Sequence, residues 1–216
     1  KTQLKKEIRE LDLYVGLTEI DKLIPALRSE GLLPAAAPNM QRPLRRLSTS
    51  TPHTSFLKVS EGCDHTCAFC AIPLMRGKHR STPIAQLIAE AQELESRGVV
   101  ELNLISQDTT WYGRDLVRGI AGAVEPFVGV MPGDLADRGS RSAERGRNFG
   151  MLTELLERLI GETSIPWLRL FYMYPSGIHE GLVDLIARTP RILPYLDLPI
   201  QHGSDRILKL MRRPER

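Results

Sequence analysis

A chain of 216 residues, 42% hydrophobic and 25% charged, carries enough apolar material for one domain with a real core and part of a second. No run of about eighteen uncharged apolar residues occurs, and the N-terminal Lys1-Thr2-Gln3-Leu4-Lys5-Lys6 leads into acidic and apolar residues, which argues against a spanning helix or a secretory leader and predicts a soluble, cytoplasmic protein with no membrane partner. A formal net charge of +3 is too mild to imply nucleic acid, and the basic clusters Arg42/Arg45/Arg46, Lys78/His79/Arg80 and Arg212/Arg213 read first as solvated surface.

In chain order, Ile8 to Val15 predicts a short strand, and Thr18 a cap for a helix with Ile20, Leu23, Ile24 and Leu27 in helical period. This is the tail of an α/β unit over residues 1–32. The proline- and alanine-rich text of 33–52 reads as a linker and a domain boundary. From 53 to 216 strand and helix alternate. Strands are predicted at Ser55–Val59, Val99–Ile105, Trp167–Met173 and Tyr195–Leu198. Between them come a helix capped at Thr82–Pro83 and closed by Gly98, helices over Leu152–Ile160 and Leu182–Ala187, and a last one capped by Ser204 through Met211. The Gly-, Arg- and Ala-rich stretch 117–150 breaks the rhythm and reads as an inserted loop. Repeated βα units imply parallel strands covered by helices, with the informative residues in the loops after the strands: 60–80, 106–115, 174–179 and 199–204.

All three cysteines lie within eight residues, in GCDHTCAFC. An odd number so closely packed makes no disulfide framework, and metal binding is the alternative. No second Cys or Cys/His pair follows, and His65 and His79 are badly spaced for a closed tetrahedral zinc site. Three thiolates suit an iron–sulfur cube whose fourth iron stays open to a small molecule.

The spacing of Cys63, Cys67 and Cys70, with Phe69 before the last, in a loop after the first strand of a βα array, resembles the radical S-adenosylmethionine (SAM) superfamily. The blocks FLKVSEGCDHTCAFCAIPLMRGKHRS, LISQDTTWYG, LRLFYMYPSGI and LPYLDLPIQHGSDRILKLMRR narrow it to the methylthiotransferases, closest to the RimO branch, with the MiaB branch second. The resemblance implies a partial radical SAM (β/α) barrel, a 4Fe–4S cluster on Cys63, Cys67 and Cys70, and SAM chelated at the open iron. It also implies conversion of C–H to C–SCH3 on an aspartate of small-subunit ribosomal protein number twelve, fed by a reducing electron donor. It places Phe69 beside the adenine. Ser106, Gln107 and Asp108 fall where many members bind the SAM amino group through a glycine-rich acidic motif, although the glycines are absent, and Gln107 is the candidate there. Gln201 and His202 are candidates for the SAM ribose or substrate, and Arg76, Lys78 and Arg80 for a carboxylate or for tuning the cluster potential.

Full members of that family carry an N-terminal domain with a second three-cysteine cluster and a C-terminal substrate-recognition domain. Cys63 is the first cysteine here, so the ligands of the second cluster are absent, and the chain, which opens without methionine, reads as a fragment. A tRNA adenosine methylthiotransferase, with tRNA as partner, and a non-catalytic iron–sulfur or zinc module remain the alternatives.

Overall fold

A computed structural model describes residues 7, 8, 10, 13–16, 19, 22–34, 51–116 and 142–213, with 142–150 as helical backbone. The chain divides into two units, Lys1–Leu47 and Ser48–Arg216. In the first, helix α1 spans Leu23–Ser29 and buries none of its residues. Gly31, at φ +74°, turns the chain out of it while the Leu32 N–H donates back to the Leu27 carbonyl. The strand predicted over 8–15 does not form at the described Tyr14 and Val15, which are coil; Arg9, Leu11, Asp12, Thr18 and Ile20 lie outside the described residues.

The second unit is built on a parallel sheet. Strands β1 (Thr54–Lys58), β4 (Glu101–Ile105) and β5 (Trp167–Leu170) lie in the order β1-β4-β5, with Thr54 opposite Glu101 and Glu101 opposite Trp167. Alternation sends Leu57, Leu102, Leu104, Leu168 and Leu170 to one face, where they are at most 1% exposed. Against them pack Leu87, Ile88, Ala91 and Leu94 of helix α3 (Ile84–Ser96) and Leu152, Leu155, Leu156 and Leu159 of helix α4 (Ser142–Glu162). At roughly 1.5–3 kcal/mol for each fully buried aliphatic side chain, this layer supplies most of the drive to fold the unit. Crossovers through α3 and α4 leave the three strands of this sheet parallel, as helix-linked strands on a shared sheet require. The other face carries Phe56, Asn103 and Arg169, the last paired with Glu101 at 2.7 Å.

Four expectations change. Pro83 itself, not Thr82, occupies the residue before α3, with no side-chain cap. Helix α4 begins at Ser142, so the end of the expected insert is helical; 117–141 lies outside the described residues. Ser204 precedes helix α6 (Asp205–Leu210) without a side-chain cap hydrogen bond. The fourth strand over Tyr195–Leu198 is absent, and the one parallel bridge in this region, between Leu168 and Ile192, falls before it. Pro194 and Pro199 bracket that segment, and neither has an N–H with which to extend a ladder. Before the bridge runs helix α5 (Glu180–Arg188), capped by the His179 ring accepting from the Leu182 N–H. Arg191 then fixes the bridge by donating to the Ile165 and Ile160 carbonyls, at 2.8 and 2.9 Å, and to the Thr163 hydroxyl. No described helix is long and apolar enough to cross a membrane.

Candidate functional site

The cysteines sit in a loop whose two ends are tied together. Directly after β1 come β2 (Ser60–Glu61) and, beyond a short helix α2 (Ile72–Arg76), β3 (Arg80–Ser81), which pair antiparallel with Ser60 opposite Ser81. The Cys63 N–H donates to the Gly77 carbonyl at 3.1 Å, the His79 N–H donates to the Asp64 carboxylate, and Arg76 donates to Glu61 at 2.8 Å. Gly62, at φ +80°, passes so close to the returning chain that a Cβ would stand 2.2 Å from the Lys78 carbonyl oxygen. Within the loop the Cys70 N–H donates to the Cys67 carbonyl, and the Ala68 N–H donates to Met211 just past α6. Cys63 and Cys67 are buried, Cys70 half-buried, and all three thiols are free.

Loops from the ends of the strands meet beside Cys67. The His65 ring stacks on Tyr174 with centroids 3.9 Å apart and planes 3° from parallel, and lies 3.9 Å from Trp111 on its other side. Its Nε2 stands 2.7 Å from Asp108 Oδ2. Asp108 is fully buried and also accepts from the Thr110 N–H and hydroxyl, so a carboxylate in a dry place is held by three donors. Beyond Tyr174 the Arg213 guanidinium lies 3.9 Å over the phenol ring. The Tyr174 hydroxyl is 3.3 Å from Cys67 Sγ, and Arg213 Nη1 donates to the same sulfur at 3.7 Å.

Burial pushes the Cys63 thiol up to about 11; the His65 backbone hydrogen bond opposes this, while Asp108 and the two other cysteines push it further. A thiol so placed keeps its proton near neutrality, and a metal must displace it. Burial also raises the Tyr174 phenol, with its hydrogen bond to Cys67 as the next cause, so it remains a phenol. Three reduced cysteines in one loop are the soft donor set an iron–sulfur cluster takes. Among the described residues no three His, Cys, Asp or Glu side chains stand ready around a single metal ion.

His79 is buried, with Nε2 at 3.2 Å from Ser81 Oγ and 4.0 Å from Asp115. Burial lowers its pKa below the ordinary 6.5, outweighing Asp115, Asp108 and Asp64, which raise it; Arg114 lowers it further. The unfolded chain therefore takes up a proton at higher pH than the folded one, and the stability held above about pH 6.5 is lost as pH falls through the folded value. The thermal midpoint of the wild type is expected to decline between about pH 7 and pH 5, and His79→Gln to flatten that decline; parallel profiles for the two proteins would refute the assignment.

Of the residues singled out from sequence, Cys63 and Cys67 are joined by Asp108 in one network. Phe69 is exposed, on the rim of the cysteine loop. Gln107 is half-buried, and its Oε1 finds no partner among the described residues. Gln201 is exposed at φ +66°, a left-handed conformation unusual for a side chain with a Cβ, and the exposed His202 accepts from the Ser204 N–H. Arg76 is committed to Glu61, and Lys78 and Arg80 are exposed. Arg213 is no solvated residue: it is 2% exposed and reaches the cysteine loop, whereas Arg212 is exposed. His65, Trp111, Tyr174 and Arg213 were not marked by spacing. The signal for Tyr174 and Trp111 was their place in the post-strand blocks; for Arg213 there was none.

A parallel βα sheet with a three-cysteine loop after its first strand defines the class, and the model of the radical SAM superfamily matches residues 57–216: the chain belongs to the radical SAM superfamily. Among curated proteins it is 39% identical, over 99% of its own length, to the ribosomal protein uS12 methylthiotransferase RimO of Christiangramia forsetii, covering 39% of that protein. It is 40% identical over 99% of its length to the protein of the same name from Flavobacterium johnsoniae, covering 40% of it, and 36% identical to that of Aquifex aeolicus, again covering 40%. The chain thus spans about two fifths of these relatives. Among solved structures, the radical S-adenosylmethionine methyltransferase TsrM of Kitasatospora setae, with cobalamin and a 4Fe–4S cluster bound, superposes at a TM-score of 0.44 and 17% identity, over 75% of this chain and 25% of that one.

Proposed function

We propose that the chain is the radical SAM core of a methylthiotransferase of the RimO kind, an enzyme that places a methylthio group on an aspartate of ribosomal protein uS12. The observation that carries the reading is the clamped loop 62–79, which gathers three free thiols in a member of the radical SAM superfamily. Cys63, Cys67 and Cys70 would hold three irons of a 4Fe–4S cluster. When bound and reduced, such a cluster would supply the electron, and SAM would accept it in a carbon–sulfur bond of its sulfonium, giving a radical able to take hydrogen from an unreactive carbon.

The chain's own residues do the rest. Gly62 and the β2–β3 pairing fix the loop, His65 is locked between Trp111 and Tyr174 by Asp108, and the buried flank of Cys63 and Cys67 keeps water from two of the three ligands. The exposed Phe69, the open Oε1 of Gln107, and Gln201 with His202 are the side chains available to SAM and substrate. The uS12 relatives, at 36–40% identity, support the choice of substrate and with it a cytoplasmic setting and a reducing electron donor.

The test is anaerobic reconstitution with iron and sulfide, then SAM and dithionite, with 5′-deoxyadenosine quantified. Product that disappears in Cys67→Ala is the expected result, and the absence of any iron-dependent chromophore in the wild type would overturn the reading. Offering uS12 and tRNA together to the full-length protein that contains this chain identifies the substrate by which one gains the methylthio mass.

A further inference from the structure

The geometry points to Arg213 and Tyr174 as positioning residues that act through the Cys67 sulfur to set the reduction potential of the iron–sulfur site, an inference that rests on the ligand reading above. Both come from far away in sequence, 146 and 107 residues from Cys67, and both end on the same atom. A thiolate has no proton to give, so once Cys67 binds iron the Tyr174 hydroxyl is the donor. Arg213 adds a second donor and the positive charge of a guanidinium.

Neither group is free to swing away. Arg213 is 2% exposed, holds its Cζ 3.9 Å over the Tyr174 ring centroid, and donates Nη2 to the Pro199 carbonyl at 3.0 Å and Nη1 to the sulfur. Its backbone N–H donates to Leu208 at the end of α6, and Met211 accepts from Ala68 of the cysteine loop, so α6 and the loop form one piece. The chain reaches this arrangement through Arg212 at φ +55°, a left-handed non-glycine residue that costs about 1–2 kcal/mol and turns the next side chain inward. Tyr174 is fixed from its other face by the His65 ring, which Asp108 and Trp111 hold.

The bias is one-sided. One electron passes from the reductant to the site, no bond is made or broken, no proton moves, and the cluster with its thiolates becomes one unit more negative. A buried cation and a hydroxyl donor beside one ligating sulfur stabilise that added charge more than the oxidised state, and so raise the potential. The interior position keeps this effect from being screened by salt, as a surface arginine's would be.

The experiment is a dithionite titration of the reconstituted full chain, followed by electron paramagnetic resonance. Iron content and the cluster absorbance of the wild type and of Cys67→Ala are read first. A wild type without a cluster overturns the ligand reading before any potential is measured. With the cluster in place, Arg213→Gln is expected to lower the midpoint by about tenfold in the reduction equilibrium, roughly 59 mV for one electron. Tyr174→Phe should shift it in the same direction by less, Arg213→Lys should recover most of the difference, and Arg206→Gln, exposed on α6, should leave it where it was. Wild-type potentials for both Arg213→Gln and Tyr174→Phe at equal iron content would overturn the inference. Where Arg213→Gln holds no cluster, Tyr174→Phe decides it, and a wild-type potential for Tyr174→Phe at equal iron content would overturn the inference.

Discussion

Gly62→Ala is expected to abolish cluster assembly and to lower the urea midpoint of the chain by the equivalent of roughly 3–5 kcal/mol. Two effects add. At φ +80° an L side chain is strained by about 1–2 kcal/mol wherever it has room. Here it has none: the new Cβ would lie 2.2 Å from the Lys78 oxygen, 2.6 Å from its carbonyl carbon and 2.7 Å from the Gly77 oxygen, all of them backbone. Backbone cannot rotate aside as a long side chain can, so the β2–β3 pairing or the Cys63–Gly77 hydrogen bond must give way. Gly98→Ala is the control, since Gly98 has φ +87° but nothing within 4 Å of its Cβ. It should cost only the conformational part. Equal losses in the two variants would mean that the approach of the returning chain does not constrain the loop.

Asp108→Ala is expected to cost about as much, roughly 3–5 kcal/mol, and Asp108→Asn about 1–2 kcal/mol. The alanine variant strands the His65 Nε2, the Thr110 N–H and the Thr110 hydroxyl in a site from which water is excluded. Asparagine keeps one acceptor oxygen for Thr110 and offers its amide to a His65 ring in the other tautomer, so most of the hydrogen bonds survive while the charge does not. Denaturant unfolding of both, beside the wild type, separates the two contributions. Should asparagine prove as damaging as alanine, the negative charge on Asp108 rather than its count of hydrogen bonds is what holds His65 between its aromatic neighbours.

The elements that read well from sequence are those whose burial is periodic and local. Helix α3 could be placed because Leu87, Leu94 and their neighbours recur at helical spacing and Gly98 ends them; β1 and β4 because Leu57, Leu102 and Leu104 have no other reason to cluster. Helix α4 runs further back than its apolar period shows, because that period begins only at Leu152, while Ser142 to Gly150 carries two glycines and Asn148 among its good helix formers and no apolar repeat to mark it. The fourth strand failed for the opposite reason: Tyr195, Leu196 and Leu198 carry strand-like side chains, but the prolines that bracket them deny the backbone its ladder. The same divide runs through the site. Cysteine spacing is a local signal. The burial of Arg213 depends on a partner 146 residues earlier, and nothing in the text LMRRPER distinguishes it from the exposed Arg212 beside it.

The tied ends of the cysteine loop bear on the order of events when the protein matures. Bringing together the ends of a free segment of this length costs roughly 2–3 kcal/mol in chain entropy, and a metal that had to gather its own ligands would meet that cost at the moment of binding. In this fold the ribbon of Ser60–Glu61 with Arg80–Ser81, and the approach of Gly62 to Lys78, meet it during folding of the polypeptide. With Cys63, Cys67 and Cys70 as the proposed ligands, the backbone of their loop would already be closed when iron arrives, and the entropy of closing it would not be lost at binding.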